Sequence, residues 1–223
     1  MKENQPSIDY RYPSKYKVKS FFDQLKYLLE LFPYLNGKTK TSFKDFSVNA
    51  EGLFLIPRWQ TIARTYNGAI EVVFTKLRNK SHFFNYYDGH TGPENLRQTA
   101  RTKKFVNEIS ESQNNNDILI FPAQFGIYHK GLPVHMIPNV LDEDEFCLDS
   151  FTVGIMLLTH PKRLHKYEDL RIDAAGDEYS PKGDSIFSRT PYFWFVNHDK
   201  SYSMRGIHQV SGTFGSATGF LIK

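Results

Sequence analysis

The sequence predicts an α+β domain. Three observations carry that expectation. Apolar residues recur at helical spacing through much of the first two thirds of the chain. Short aromatic and β-branched segments, broken by Gly, Pro, Asn and Asp, fill the last third, and no βαβα series links the two. The expected architecture is a set of N-terminal amphipathic helices packed on a mixed, mostly antiparallel sheet with C-terminal strands. One globular domain over 18–223 accounts for the chain of 223 residues, behind an extended or flexible lead-in over 1–17 that shows no periodicity. A domain of this size buries roughly 70% of its unfolded surface, so its core needs neither disulfides nor metal.

Each element has its own warrant. Phe21, Phe22, Leu25, Leu28, Leu29 and Phe32 set out a first amphipathic helix, which Pro33 stops. Gly52–Pro57 is a short apolar run bounded by turn formers, as a buried strand is. Ile62, Tyr66, Ala69, Ile70, Val73, Phe74 and Leu77 keep one face of a second helix apolar. After turn signals at Asp88-Gly89 and Thr91-Gly92-Pro93, a third helix is expected from Pro93 to about residue 112. Asp117–Pro122 reads as a central strand and Gln124–Pro138 as loop with at most one short strand. Four acids at 142–145 complement a helix dipole, so a buried helix is expected over 142–159, ended by Pro161. A turn of helix at 162–167 then precedes strands at 170–174, 192–196, 201–207 and 219–222.

Composition excludes several classes. The single Cys147 can neither close an internal bridge nor build a zinc knuckle, which favours a reducing, cytoplasmic setting. The longest apolar run, Phe151–Leu158, is less than half of the roughly 20 residues a membrane helix needs, and no secretory leader is expected, so no membrane partner is. There is no GxGxxG or GxxxxGK[ST] phosphate loop, no G-x-S-x-G elbow, and no pair of the eight histidines at zinc-type spacing. The net charge of +4 is uneven: residues 1–104 hold 18 Lys and Arg against 9 Asp and Glu, a net of +9, and the remainder has a net of −5. A basic half of this kind faces a polyanion or is neutralised by the acidic half of its own chain.

Four groups of residues could carry chemistry. On the helix expected from Pro93, Arg97, Arg101 and Lys104 would form one anion-binding stripe, beside the aromatic stretch His82–Tyr87 as stacking surface. The acidic turn with Asp173, Asp177, Glu178 and Asp184 suits a hard cation or a general acid–base pair, although its spacing is not that of an EF-hand. The loop 122–131 offers His129 as an acid or base, and the run Asp142, Glu143, Asp144, Glu145 could steer a basic protein partner. Cys147 lies among acids that raise its pKa, which argues for a structural thiol. No motif assigns an activity, and no cofactor follows from the residues. The leading expectation is a soluble intracellular binding protein whose basic N-terminal half meets nucleic acid or a phosphorylated ligand. The alternatives are a metal-assisted hydrolase or transferase using the acidic turn, and a protein-interaction or inhibitor domain.

Overall fold

A computed structural model describes residues 10–39 and 49–222. The chain is a single α+β domain of mixed helices and two sheets. Among the described residues, seven of the nine strand pairings are antiparallel. Of the expected lead-in, residues 1–9 lie outside the described residues. Residues 10–19 form no helix or strand, but they lie against the body with Tyr12 buried.

The first sheet is built from β1 (Gly52–Pro57), β4 (Ile118–Gln124), β5 (Glu145–Cys147) and β11 (Thr218–Phe220), in the order β1-β4-β11-β5. Every residue of β4 is buried, as expected of a central strand covered on both faces. The second sheet takes β2 (Phe83–Asn85), β3 (Leu96–Gln98), β6 (Arg171–Asp173), β7 (Asp177–Tyr179), β8 (Arg189–Val196), β9 (Asp199–Gly206) and β10 (Phe214–Ser216). β8 and β9 form a hairpin whose two loop residues, Asn197 and His198, have φ of 51° and 70°, as a type I′ turn requires. Parallel pairings join β2 to β9 and β10 to β6.

The helices are α1 (Phe21–Leu31), α2 (Trp59–Ile62), α3 (Tyr66–Lys80), α4 (Ala100–Ser112) and α5 (Ser150–Thr159). All but the single-turn α2 open on a capping side chain: Ser20, Thr65, Thr99 and Asp149 accept from the backbone N–H three residues on, at 3.2, 3.1, 3.3 and 2.7 Å. α5 is the centre of the core, with all ten residues buried and contacts to α1, α3 and β1. Among the described residues no helix is long and apolar enough to cross a membrane.

Two helix starts differ from expectation. Pro93 begins only one turn, closed by Leu96 N donating to Gly92 O at 2.8 Å, and the chain then extends as β3 to pair with β7. The helix waits for its cap at Thr99. Likewise the acids at 142–145 precede a strand: Glu145 N donates to Asp142 O at 3.1 Å, β5 pairs with β11, and the helix begins only after Asp149. In both cases sheet pairing outcompeted an early helix start, and a Thr or Asp cap fixed the register. The second helical pattern also divides, with Ile62 in α2 and its later residues in α3.

Candidate functional site

The stripe expected from Arg97, Arg101 and Lys104 is not formed, because the three do not share a helix. Arg97 lies on β3, its Nε 2.6 Å from Glu178 Oε1 and its guanidinium 3.7 Å above the Phe187 ring. Arg101, in the first turn of α4, donates to the backbone carbonyls of Asp142 and Glu145 at 2.7 to 2.9 Å and so fastens β5 to the helix. Lys104 is exposed and pairs with Glu108 at 3.6 Å. Of the aromatic stretch beside it, Phe83 is buried against Phe74, while Phe84 and Tyr86 are exposed.

The acidic turn also disperses. Asp173 is buried in an ion pair with Arg205, at 2.9 and 3.0 Å; burial raises its carboxyl and the guanidinium opposes that. Asp177 points into the core, where both carboxylate oxygens accept from the Tyr66 hydroxyl, at 2.7 and 2.8 Å, and Oδ2 accepts from Ser150 N at 2.8 Å. Burial and the neighbouring Asp149 push it up to about 8. Glu178 pairs with Arg97, and Asp184 caps Ser180 and Ile186 N, contacts that pull its carboxyl down. Among the described residues no three His, Cys, Asp or Glu side chains converge as a metal shell.

His129 has a partner the sequence did not reveal. Its Nε2 lies 2.8 Å from Glu145 Oε1, which also accepts from Thr218 Oγ1 at 2.5 Å, and both members of the pair are buried. This pair ties the loop after β4 to β5 and β11. With Glu145 turned inward, the acidic run keeps only Asp142 and Glu143 fully exposed. Cys147 is buried and pushed up to about 12, first by burial and then by Glu145.

What the sequence reading passed over is the segment Tyr10-Arg11-Tyr12-Pro13-Ser14-Lys15-Tyr16-Lys17. Its signal is tyrosines interleaved with cations, but without periodicity the stretch reads only as an extended or flexible lead-in. The segment is a strap fixed at several points. Tyr10 Oη accepts from Leu170 N at 2.9 Å, Ser14 N donates to Asp169 Oδ1 at 3.0 Å, and Lys19 N donates to His160 Nε2 at 3.0 Å. Tyr12 donates to Glu51 Oε1 at 2.6 Å, and Tyr16 donates to Glu51 Oε2. Burial and the Glu51 charge raise both phenols, so they stay protonated donors. Beneath Tyr12 lies Arg163, fully buried, its guanidinium 3.7 Å from the ring and donating to Phe125 O and Leu170 O at 3.0 and 3.1 Å. The tyrosine face takes the place of a carboxylate for this cation.

Fixing the strap leaves its cations outside. Arg11, Lys15 and Lys17 are exposed, and none has an ion-pair partner among the described residues. They line a groove of about 580 Å³ with Tyr10, Tyr12, Tyr16 and Ile127. Tyr10 also borders a second groove of about 370 Å³, lined by Lys130, Tyr167, Arg171 and Thr213 among others, with Lys130 Nζ 5.1 Å above the Tyr10 ring. The two hollows together hold five cations with tyrosines between them; the carboxylates of the second are Glu168 and Asp169, the latter already capping His165 N and Lys166 N. No family model, curated protein or solved structure matches this chain.

Proposed function

We propose that this chain is a binding protein for an anionic partner, a nucleic acid or other phosphorylated polymer, held along the strap groove rather than on α4. One observation carries the reading: Arg11, Lys15 and Lys17 stand exposed, without an ion-pair partner among the described residues, in a tyrosine-lined groove that continues toward Lys130 and Arg171. Cations in line with a phosphate chain bind by displacing its counterions, and tyrosines between them add contact at little entropic cost. A reducing, cytoplasmic setting belongs to the same proposal, supported by the single, buried cysteine.

The test is a salt titration of binding to a fluorescent 20-mer oligonucleotide. Four or five phosphate contacts give a log–log slope of roughly −3 to −4. Replacing Arg11, Lys15 and Lys17 together by Ala shallows the slope by about 2, while Lys104→Ala on α4 leaves it unchanged. If the triple substitution alters neither slope nor affinity, the groove is not the site.

A further inference from the structure

We infer that the outer face of the second sheet is a stacking platform for the unpaired bases of a single-stranded nucleic acid, an inference that rests on the anion-binding reading and names its substrate class. The strand register builds the platform. Phe84 on β2 pairs with Ser201 on β9, and Ser201 pairs with Trp194 on β8. Extending the Ile172–Phe193 pairing by one residue sets Arg171 on β6 beside Trp194, and Arg171 pairs with Phe214 on β10. Residues opposite one another in a sheet share a face, so one row runs Phe84, Ser201, Trp194, Arg171, Phe214 across five strands. The opposite face holds Phe83, Tyr202, Phe193 and Ile172, all buried.

The row is aromatic and cationic, open at its Phe84 end and half-buried at Trp194, Tyr192 and Arg171, while Ser201, Phe214 and Arg205 are buried. Phe84 and Tyr86 are 53% and 51% exposed, and their rings meet edge to face at 4.7 Å. Tyr86 lies 6.4 Å from Trp194, and Tyr192 bridges Trp194 and Phe214 at 5.9 and 5.1 Å. The Arg171 guanidinium sits between two rings, 4.9 Å from Trp194 and 5.0 Å from Phe214, and Arg205 covers Phe214 from 4.1 Å. Trp194 Nε1 is buried and has no hydrogen-bond partner among the described residues, so the ring face rather than the N–H is what Trp194 offers. Asp173, beside this row, is neutralised by Arg205.

Charge and continuity choose the occupant. A ligand that covers flat rings and meets the Arg171 guanidinium among them needs π-faces and negative charge in one chain, which unpaired nucleotides supply. Arg171 also lines the groove with Lys130 and Tyr10, so the platform runs into the proposed path for the backbone. Double-stranded nucleic acid hides its base faces and cannot use the rings. A neutral sugar would use the rings and ignore the cations.

The experiment uses the full chain carrying Trp59→Phe, which leaves Trp194 as the sole tryptophan. It is titrated with a single-stranded 20-mer, the same sequence as a duplex, inorganic polyphosphate and a neutral oligosaccharide. The single strand is expected to quench Trp194 and to bind at least tenfold more tightly than duplex or polyphosphate. Phe84→Ala and Tyr86→Ala, both at exposed rings, are expected to weaken it roughly 5- to 100-fold each with the salt slope unchanged and the melting temperature preserved. If single strand, duplex and polyphosphate bind alike and the ring substitutions change nothing, the platform is refuted while the anion reading stands. If none of the three polyanions binds, both fall. Quenching by the oligosaccharide alone would assign the face to carbohydrate and overturn the inference.

Discussion

Replacing Asp177 by Asn tests whether this buried carboxyl is held neutral by the fold. Its pKa is pushed up to about 8, first by burial and then by Asp149, against an ordinary value of 3.8. The sign follows from proton counting. Between those two values the unfolded chain has released the proton and the folded chain keeps it, so stability falls as pH rises. One retained proton costs about 1.36 kcal/mol per pH unit, hence up to about 4 kcal/mol between pH 5 and pH 8. For a domain of this length that is a fall of roughly 10 °C in melting temperature. Asn reproduces the protonated group. Its oxygen can accept from Ser150 N, its amide can donate to the Tyr66 hydroxyl, and Tyr66 can turn its own proton toward Asp149, with which it already interacts. The assay is thermal melting by circular dichroism from pH 5 to 9 on both proteins. Asp173, raised in the same direction, contributes equally to each, so the difference between profiles reports Asp177 together with its coupling to Asp149. The parent is expected to lose stability through this window much more steeply than Asp177→Asn, which matches or exceeds it at pH 8. Two parallel profiles would show that Asp177 ionises in the folded protein without penalty and would refute the argument.

Three other outcomes are expected. Gly126→Ala should prevent folding or cost more than about 3 kcal/mol, because φ is +107° and the new Cβ would lie 2.4 Å from Gly215 O; Gly89→Ala, at φ +75° with nothing within 4 Å, should cost about 1 kcal/mol in the same urea titration. Cys147 should resist a disulfide reagent at pH 8 until denaturant is added, since the thiol is buried and raised to about 12; immediate stoichiometric reaction in the native state would contradict that. Arg163→Ala should cost about 3 kcal/mol by chemical denaturation, through two carbonyls left without donors and the lost packing on Tyr12, and a change below about 0.5 kcal/mol would mean the guanidinium is dispensable.

Elements with unbroken periodicity were legible in the sequence: α1 with its stop at Pro33, most of α3, β1, β4 and the burial of α5. What was not legible follows one pattern. β3, β5 and β7 are three residues each, too short to show alternation, and they exist because a distant strand supplies their hydrogen bonds. Arg97 was therefore placed on a helix that begins three residues later. The spacings Thr99-x-x-Thr102 and Asp149-x-x-Thr152 were the local signals that would have put both helix starts right. At the site, the candidate stripe was drawn from a helix that does not extend that far. The strap and the platform draw together residues from Tyr10 to Phe214, and no local pattern reports such distances. The aromatic stretch His82–Tyr87 is legible as a stacking surface, but the exposure of Phe84 and its alignment with Trp194 and Arg171 depend on a parallel pairing that only the fold specifies.

The placement of β11 has a consequence for the order of folding. Residues 218–220 lie between β4 and β5, and Ala217, just before them, donates to Asp173 O in one sheet and accepts from Leu148 N beside the other. Until residue 220 is available, β4 and β5 have no neighbour on that side and expose hydrogen-bonding edges able to pair with another chain. Such long-range closure slows folding, so the pairing of residues 218–220, rather than any earlier collapse, sets when these edges cease to be open to another chain.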